Sequence, residues 1–263
     1  MFEIKEKSSL EIYENVSEEI KYVSNSFIRL DIVETLFSES KTMKEINSDT
    51  GLSYSSISSN IHNLELEGYV FREFNRYHLS NIMNIYFENI LDLQMTITTL
   101  DNLRLFFNNH CVNELPKNAI LNLFLIENSY LLESDEINIY KTRNFILDSL
   151  NNANYVKGIL PNTFSTMGEK LNELVSQNKN VELLISDEIY SNFCKNMDFK
   201  PNLKINSFKN KSNFSLLITD EVIMLALFRL DGIFDQNRLL ILKTEGGKKW
   251  ANMLFDEFKN KIK

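Results

Sequence analysis

Residues 50–69 read "TGLSYSSISSNIHNLELEGY", and this stretch decides how the chain is understood. Ile57, Ile61 and Leu64 fall on one stripe at helical spacing, Ser53 stands where an N-cap belongs, and Gly68 stands where the helix would end. The composition is unusual for such a helix. Serine is a middling helix former because its hydroxyl competes for nearby backbone groups. A surface helix with a purely structural duty draws on Glu, Lys, Gln and Ala instead. No charged side chain occurs from Leu52 through Leu64. The pattern predicts a helix whose outward face is kept short, neutral and hydrogen-bonding.

The flanks extend the reading. Upstream, "EEIKYVSNSFIRLDIVETLFS" over 18–38 places Phe27, Ile28, Ile32, Val33 and Leu36 at helical spacing. Thr42 followed by Glu45 is a capping-box pattern, and Gly51 closes a short second helix. Downstream, "YVFREFNRYHLS" over 69–80 alternates and turns around Phe74-Asn75-Arg76, which predicts a two-stranded hairpin. Helix, helix, turn, helix, hairpin is the winged helix-turn-helix order. With Ile57, Ile61 and Leu64 turned inward, Tyr54, Ser55, Ser56, Ser58, Ser59 and His62 face outward. Short hydroxyls let a helix approach the major groove and bond base edges and phosphates, where glutamates would be repelled. Arg72 and Arg76 on the hairpin would reach backbone phosphate or the minor groove. The alternative is a winged helix that docks onto proteins as an adaptor without reading DNA. His78 beside the wing reads as a hairpin surface residue.

Residues 81–109 form a long stretch in which Ile82, Ile85, Phe87, Ile90, Leu93, Ile97 and Leu100 cover more than one helix face. An apolar arc that wide needs burial on two sides, which suits a homodimer or an intradomain core helix. "NELPKN" at 113–118 breaks it. The expected division is therefore a DNA-binding domain over 1–80, a linker or dimerisation helix over 81–114, and an α/β regulatory domain over 115–263.

In that last region helices and strands alternate. "YVKGIL", "VELLIS", "LKINSF", "FSLLITD", "VIMLALF" and "RLLILK" read as strands. "IYKTRNFILDSLNNA", "FSTMGEKLNELVSQN" and "SDEIYSNFCKNM" read as helices, and "GGKKWANMLFDEFKNKIK" as an amphipathic helix with Trp250, Leu254 and Phe258 on one side. The expected fold class is α+β overall, with a mixed sheet in the second domain. Such sheets bind ligands beyond the carboxyl ends of their strands. The best carboxylate group is Asp220, Asp231 and Asp235, which reads either as a ligand or metal site or as turn chemistry, since Asp231-Gly232 between apolar runs is a hairpin signal. Tyr190, with Lys157, Ser165 and Thr166, falls at strand ends or helix starts, where it could line a pocket.

Composition bounds the rest. The 263 residues are 43% hydrophobic, enough for a large core, and no uncharged apolar run is long enough to span a bilayer. The start, "MFEIKEKSSLEIYENV", interleaves charges with apolar residues, unlike a signal peptide. Cys111 and Cys194 match no zinc or disulfide spacing, so the expected setting is the cytoplasm. The net charge of −8 argues against a protein coated in nucleic acid. Residues 1–80 hold 8 basic and 14 acidic residues, so any contact with DNA must be local and salt-sensitive. There is no glycine-rich phosphate loop and no G-x-S-x-G elbow, and His62, His78 and His110 all precede 115. The expectation is a non-enzyme with no cofactor and no metal site.

A family resemblance joins the halves. "SNSFIRLDIVETLFS", "KTMKEINSDTGLSYSSISSNIHNLELEGYV" and "YHLS" resemble ArsR-type winged-helix regulators. "YVKGILPNTF", "VELLIS", "SLLITDEVIMLALFRLDGIFDQNRLLI" and "KKWANMLFDEF" resemble the second domain of methanogenesis-type transcriptional regulators of methanogenic archaea. The resemblance implies a DNA-binding, dimeric transcription regulator with a double-stranded operator as its partner, and a sensor or oligomerisation domain that answers to an unknown small-molecule effector. Metal-sensing members of the ArsR group use Cys or His pairs, whereas "SYSSISSN" offers Ser and Tyr.

Overall fold

The computed structural model describes residues 21–113, 115–195, 197–209, 212 and 214–262. The reading of 1–16 and the start of the 18–38 helix lie outside them. The chain divides into two compact units, 1–92 and 93–263.

The first unit follows its local signals. Helix α1 (Phe27–Ser38) is capped by the Ser26 side chain, which accepts from the Arg29 amide. Helix α2 (Met43–Thr50) opens on a complete capping box: the Thr42 hydroxyl accepts from the Glu45 amide at 3.3 Å, and the Glu45 carboxylate accepts from the Thr42 amide at 2.7 Å. It ends at Gly51, whose φ of 68° lies in the left-handed region that a side chain disfavours. Helix α3 (Tyr54–Leu66) is capped by Ser53, and a hairpin of β1 (Val70–Glu73) and β2 (Arg76–Leu79) follows. Ile57, Ile61 and Leu64 are buried against Ile32, Val33, Leu36 and Ile46.

Helix α4 (Asn81–Asn102) is separated from the short α5 (Arg104–Asn109) by Leu103, whose φ and ψ are not helical. The single helix expected over 81–109 is thus two. Met83 and Phe87 are buried in the first unit's core, while Leu103 and Phe106 belong to the second. The division between units therefore falls inside α4, well before the "NELPKN" break.

The second unit is a seven-stranded mixed sheet covered by helices on both faces. Its strands are β3 (Tyr130–Glu133), β4 (Tyr155–Leu160), β5 (Asn180–Ser186), β6 (Leu203–Phe208), β7 (Phe214–Thr219), β8 (Ile223–Leu227) and β9 (Arg238–Leu242). They lie in the order β3-β9-β8-β7-β4-β5-β6. The β4–β5 and β5–β6 pairs are parallel and the rest antiparallel. The period of two along each strand sorts side chains between two cores. On one face Ile159, Leu184, Leu216, Ile218, Ile223 and Leu225 meet Trp250, Leu254 and Phe255 of α10 (Glu245–Lys261). The Trp250 indole also donates to the Ala119 carbonyl at 2.8 Å, in the short helix α6 (Lys117–Leu121). On the other face Val156, Leu183, Leu217, Met224 and Ile241 meet Leu150 of α7 (Lys141–Asn151) and Met167, Leu171 and Val175 of α8 (Ser165–Ser176). Helix α9 (Asp187–Cys194) is capped by Ser186. All six strands expected from apolar runs form. The edge strand β3 does not stand out in the sequence, because its four residues are only partly covered. Among the described residues no helix is long and apolar enough to cross a membrane.

Candidate nucleic-acid interface

The geometry of α3 follows from its two faces. With its stripe sealed in the core, Ser53, Tyr54, Ser55, Ser58, Ser59 and His62 are exposed, and Ser56 is half-buried. The Ser53 hydroxyl is engaged by its own helix, accepting from the Ser56 amide at 3.2 Å and lying 3.0 Å from the Ser55 hydroxyl. Ser53 therefore orders the helix start and leaves Tyr54, Ser58, Ser59 and His62 as the outward ridge. The ridge is neutral, and its polar groups can donate to and accept from base edges and phosphates alike.

The wing divides its two arginines. Arg72 is exposed, donates to the Asn75 side chain at 2.8 Å and lies 5.5 Å from the Tyr77 ring, so it braces the hairpin tip while its charge faces solvent. Arg76 is turned inward to the loop between α1 and α2. Its Nε donates to the Ser40 carbonyl and hydroxyl, each at 3.1 Å, and its guanidinium lies 3.3 Å from the Glu45 carboxylate. The Thr42 amide and hydroxyl hold the Glu45 carboxyl below the usual glutamate range, with Arg76 adding to this. These bonds tie the wing to that loop, while part of the Arg76 guanidinium stays exposed. At the tip Phe74 adopts a φ of 52° and is 95% exposed, a turn position glycine would favour. His78 stacks on Phe71 across the hairpin at 5.1 Å.

The carboxylates singled out in the second unit do not gather. Asp220 follows β7 at one end of the sheet, where it accepts from the Asn154 amide at 2.8 Å and side chain at 2.9 Å. Burial would push its carboxyl up, but these bonds hold it below the ordinary value. Asp231 and Asp235 lie at the opposite end, beyond the five residues of β8, a strand length of about 16 Å. Asp231 pairs with Arg229 in the turn at Gly232, as the hairpin reading expects. Asp235 is buried, accepting from His110 Nε2 and from Arg238, each at 3.0 Å. His110 Nδ1 lies 2.6 Å from the Phe106 carbonyl, so both ring nitrogens stand beside oxygen atoms. Burial alone would raise the Asp235 carboxyl, but the bonds from His110, the Asn237 amide and Arg238 hold it below the usual aspartate range. His110, which precedes 115 in sequence, thus belongs to the second unit's interior. Tyr190 lies on α9, where burial and the neighbouring Cys194 thiol raise its phenol. Among the described residues no group of His, Cys, Asp or Glu is arranged to hold a metal ion.

A winged helix joined to a three-layer α/β unit with a mixed sheet defines the class of protein. Residues 139–261, all within the second unit, match the family described as "Methanogenesis regulatory protein FilR1, middle domain". The resemblance drawn from the strand series is thereby borne out. No curated protein matches the chain. Among solved structures, the archaeal chromatin protein TrmBL2 is similar at 13% identity over 95% of this chain and 99% of that one, with a TM-score of 0.40. A homodimeric winged helix-turn-helix DNA-binding domain from Mycobacterium bovis, a candidate ArsR-family regulator, is similar at 19% identity over 35% of this chain and 90% of that one, with a TM-score of 0.29. NucT from Helicobacter pylori is similar at 12% identity over 51% and 94% of the two chains, with a TM-score of 0.37.

Proposed function

We propose that this chain is a DNA-binding transcriptional regulator that lays α3 in the major groove of an operator. The observation that carries the reading is the α3 ridge: Tyr54, Ser58, Ser59 and His62 are exposed and none of them is acidic, while the opposite stripe is sealed. Arg72 supplies the wing's phosphate contact. The protein acts as a homodimer, which suits two half-sites about one helical turn apart. Ile85, Leu93 and Ile97 stay more than half exposed along α4 and would be covered by the second copy. The second unit is the regulatory half.

Selection of bound fragments from genomic DNA, followed by fluorescence anisotropy in a salt series, tests this. The expected result is a palindromic site bound at least about 1000-fold more tightly than random duplex. Equal affinity for all duplexes would overturn it in favour of the adaptor reading, which the acidic surplus of residues 1–80 supports.

A further inference from the structure

The second unit contains a cavity of about 540 Å³, within the range of sites for drug-sized ligands. It lies past the carboxyl end of β4, on the face covered by α7 and α8. The pleat builds its floor: Leu217, Met224, Ala226 and Leu239 project from three adjacent strands, and Phe164 and Phe234 add aromatic wall. One lining residue carries a charge, Arg143 of α7, and no carboxylate lines the space.

Arg143 is positioned. It is half-buried, its guanidinium lies 4.6 Å from the centre of the Phe164 ring, and it donates to the Thr166 hydroxyl at 2.9 Å. Stacking fixes the plane of the guanidinium and one bond fixes its rotation, while the remaining N–H groups stay available. Arg143 has no ion pair among the described residues. Helix α8 starts on the same wall. Its N-cap residue, Phe164, offers no side-chain cap and its first turn holds no acidic residue, so its first amides and its dipole favour an anion. Thr163 and Gln236 add neutral hydrogen-bonding groups. At the rim Ile139 and Ile233 are each 58% exposed, an apolar lip in contact with water.

One fixed cation against an apolar floor selects a ligand of matching build. We propose that this cavity binds a small amphipathic monocarboxylate, its carboxylate on Arg143 and the start of α8, its apolar body over Leu217, Met224 and Leu239. A dianion would leave one charge uncompensated, and a neutral or cationic analogue would leave the half-buried Arg143 without a counter-charge. The inference deepens the reading of the second unit as the regulatory half and rests on that reading for its consequence. Binding is therefore measured without DNA, so that its failure leaves the winged-helix reading standing.

The experiment titrates the full chain with octanoate, 4-phenylbutyrate, octanol and octylamine, followed by saturation-transfer NMR and by thermal melting. Saturable binding of at least one of the two carboxylates is expected, about 10- to 100-fold tighter than octanol or octylamine, the gain given by hydrogen bonds to a charged group. Arg143→Gln should remove that preference and leave octanol affinity unchanged. The comparison of ligands on the unaltered protein decides the matter even if the variant folds poorly. No saturable binding of either carboxylate, or equal affinity for octanoate, octanol and octylamine, would overturn the proposal.

Discussion

A carboxylate placed in the middle of the α3 ridge should expel the helix from DNA without disturbing its fold. Ser58 is the position for it: exposed, one turn after Tyr54 and one turn before His62. Glutamate forms helix at least as well as serine, so Ser58→Glu should melt within a degree or two of the unaltered protein. In the complex the new carboxylate would stand among phosphates. At a separation of about 4 Å each charge pair costs about 1 kcal/mol in bulk water and about 4 kcal/mol at the effective dielectric of a protein surface. Affinity should therefore fall by at least about fivefold from one phosphate, and by several hundredfold if the groove is dry. Fluorescence anisotropy on the selected site measures this, with Asn144→Glu on the exposed face of α7 as a control of equal charge. The deficit should shrink in the Ser58 variant as salt rises, because added ions screen the repulsion. Affinity within about twofold of the control at low salt would refute the groove placement of α3.

Other outcomes follow from the same geometry. Arg72→Ala should flatten the dependence of log affinity on log salt by about one unit, whereas Arg76→Ala should leave the slope nearly unchanged and lower stability by about 1 kcal/mol through its lost bonds to Ser40, as read by urea unfolding. Asp235 has a folded value held below that of the unfolded chain, so its contribution is fully present above about pH 5 and is lost as pH falls below about 4. Unfolding at pH 6 and pH 3 should accordingly show a smaller pH dependence in Asp235→Asn, and Asp235→Ala should cost about 2 kcal/mol at neutral pH by leaving His110 Nε2 and Arg238 without their buried partner.

What the sequence makes legible is local. Ser53, the Thr42–Glu45 box and Gly51 act over three or four residues, and their meaning survives without knowledge of the fold. The strands β4, β5, β7, β8 and β9 are legible because both of their faces are largely buried, leaving apolar runs, and the edge strand β6 because Leu203 and Ile205 alternate with Lys204 and Asn206. The rest depends on pairs far apart in the chain. Arg76 finds Ser40 across 36 residues and His110 finds Asp235 across 125, and neither partner carries a local mark. The cavity escapes notice for the same reason. A lone arginine on a helix has no signature until the sheet puts Leu217, Met224 and Leu239 opposite it. The placement of Asp220 at one end of the sheet and of Asp231 and Asp235 at the other is likewise fixed by strand direction, which apolar runs do not encode.

The strand order also governs how the chain can be made. After the edge strand β3, β4, β5 and β6 are synthesised in turn and form a parallel trio, yet β4 is a central strand whose other neighbour, β7, arrives more than fifty residues later. Until then one backbone edge of β4 is unpaired, and the wholly apolar β8 has nowhere to be buried before β9 and α10 follow. Any delay before β7 becomes available would prolong the life of an open sheet edge that can template aggregation.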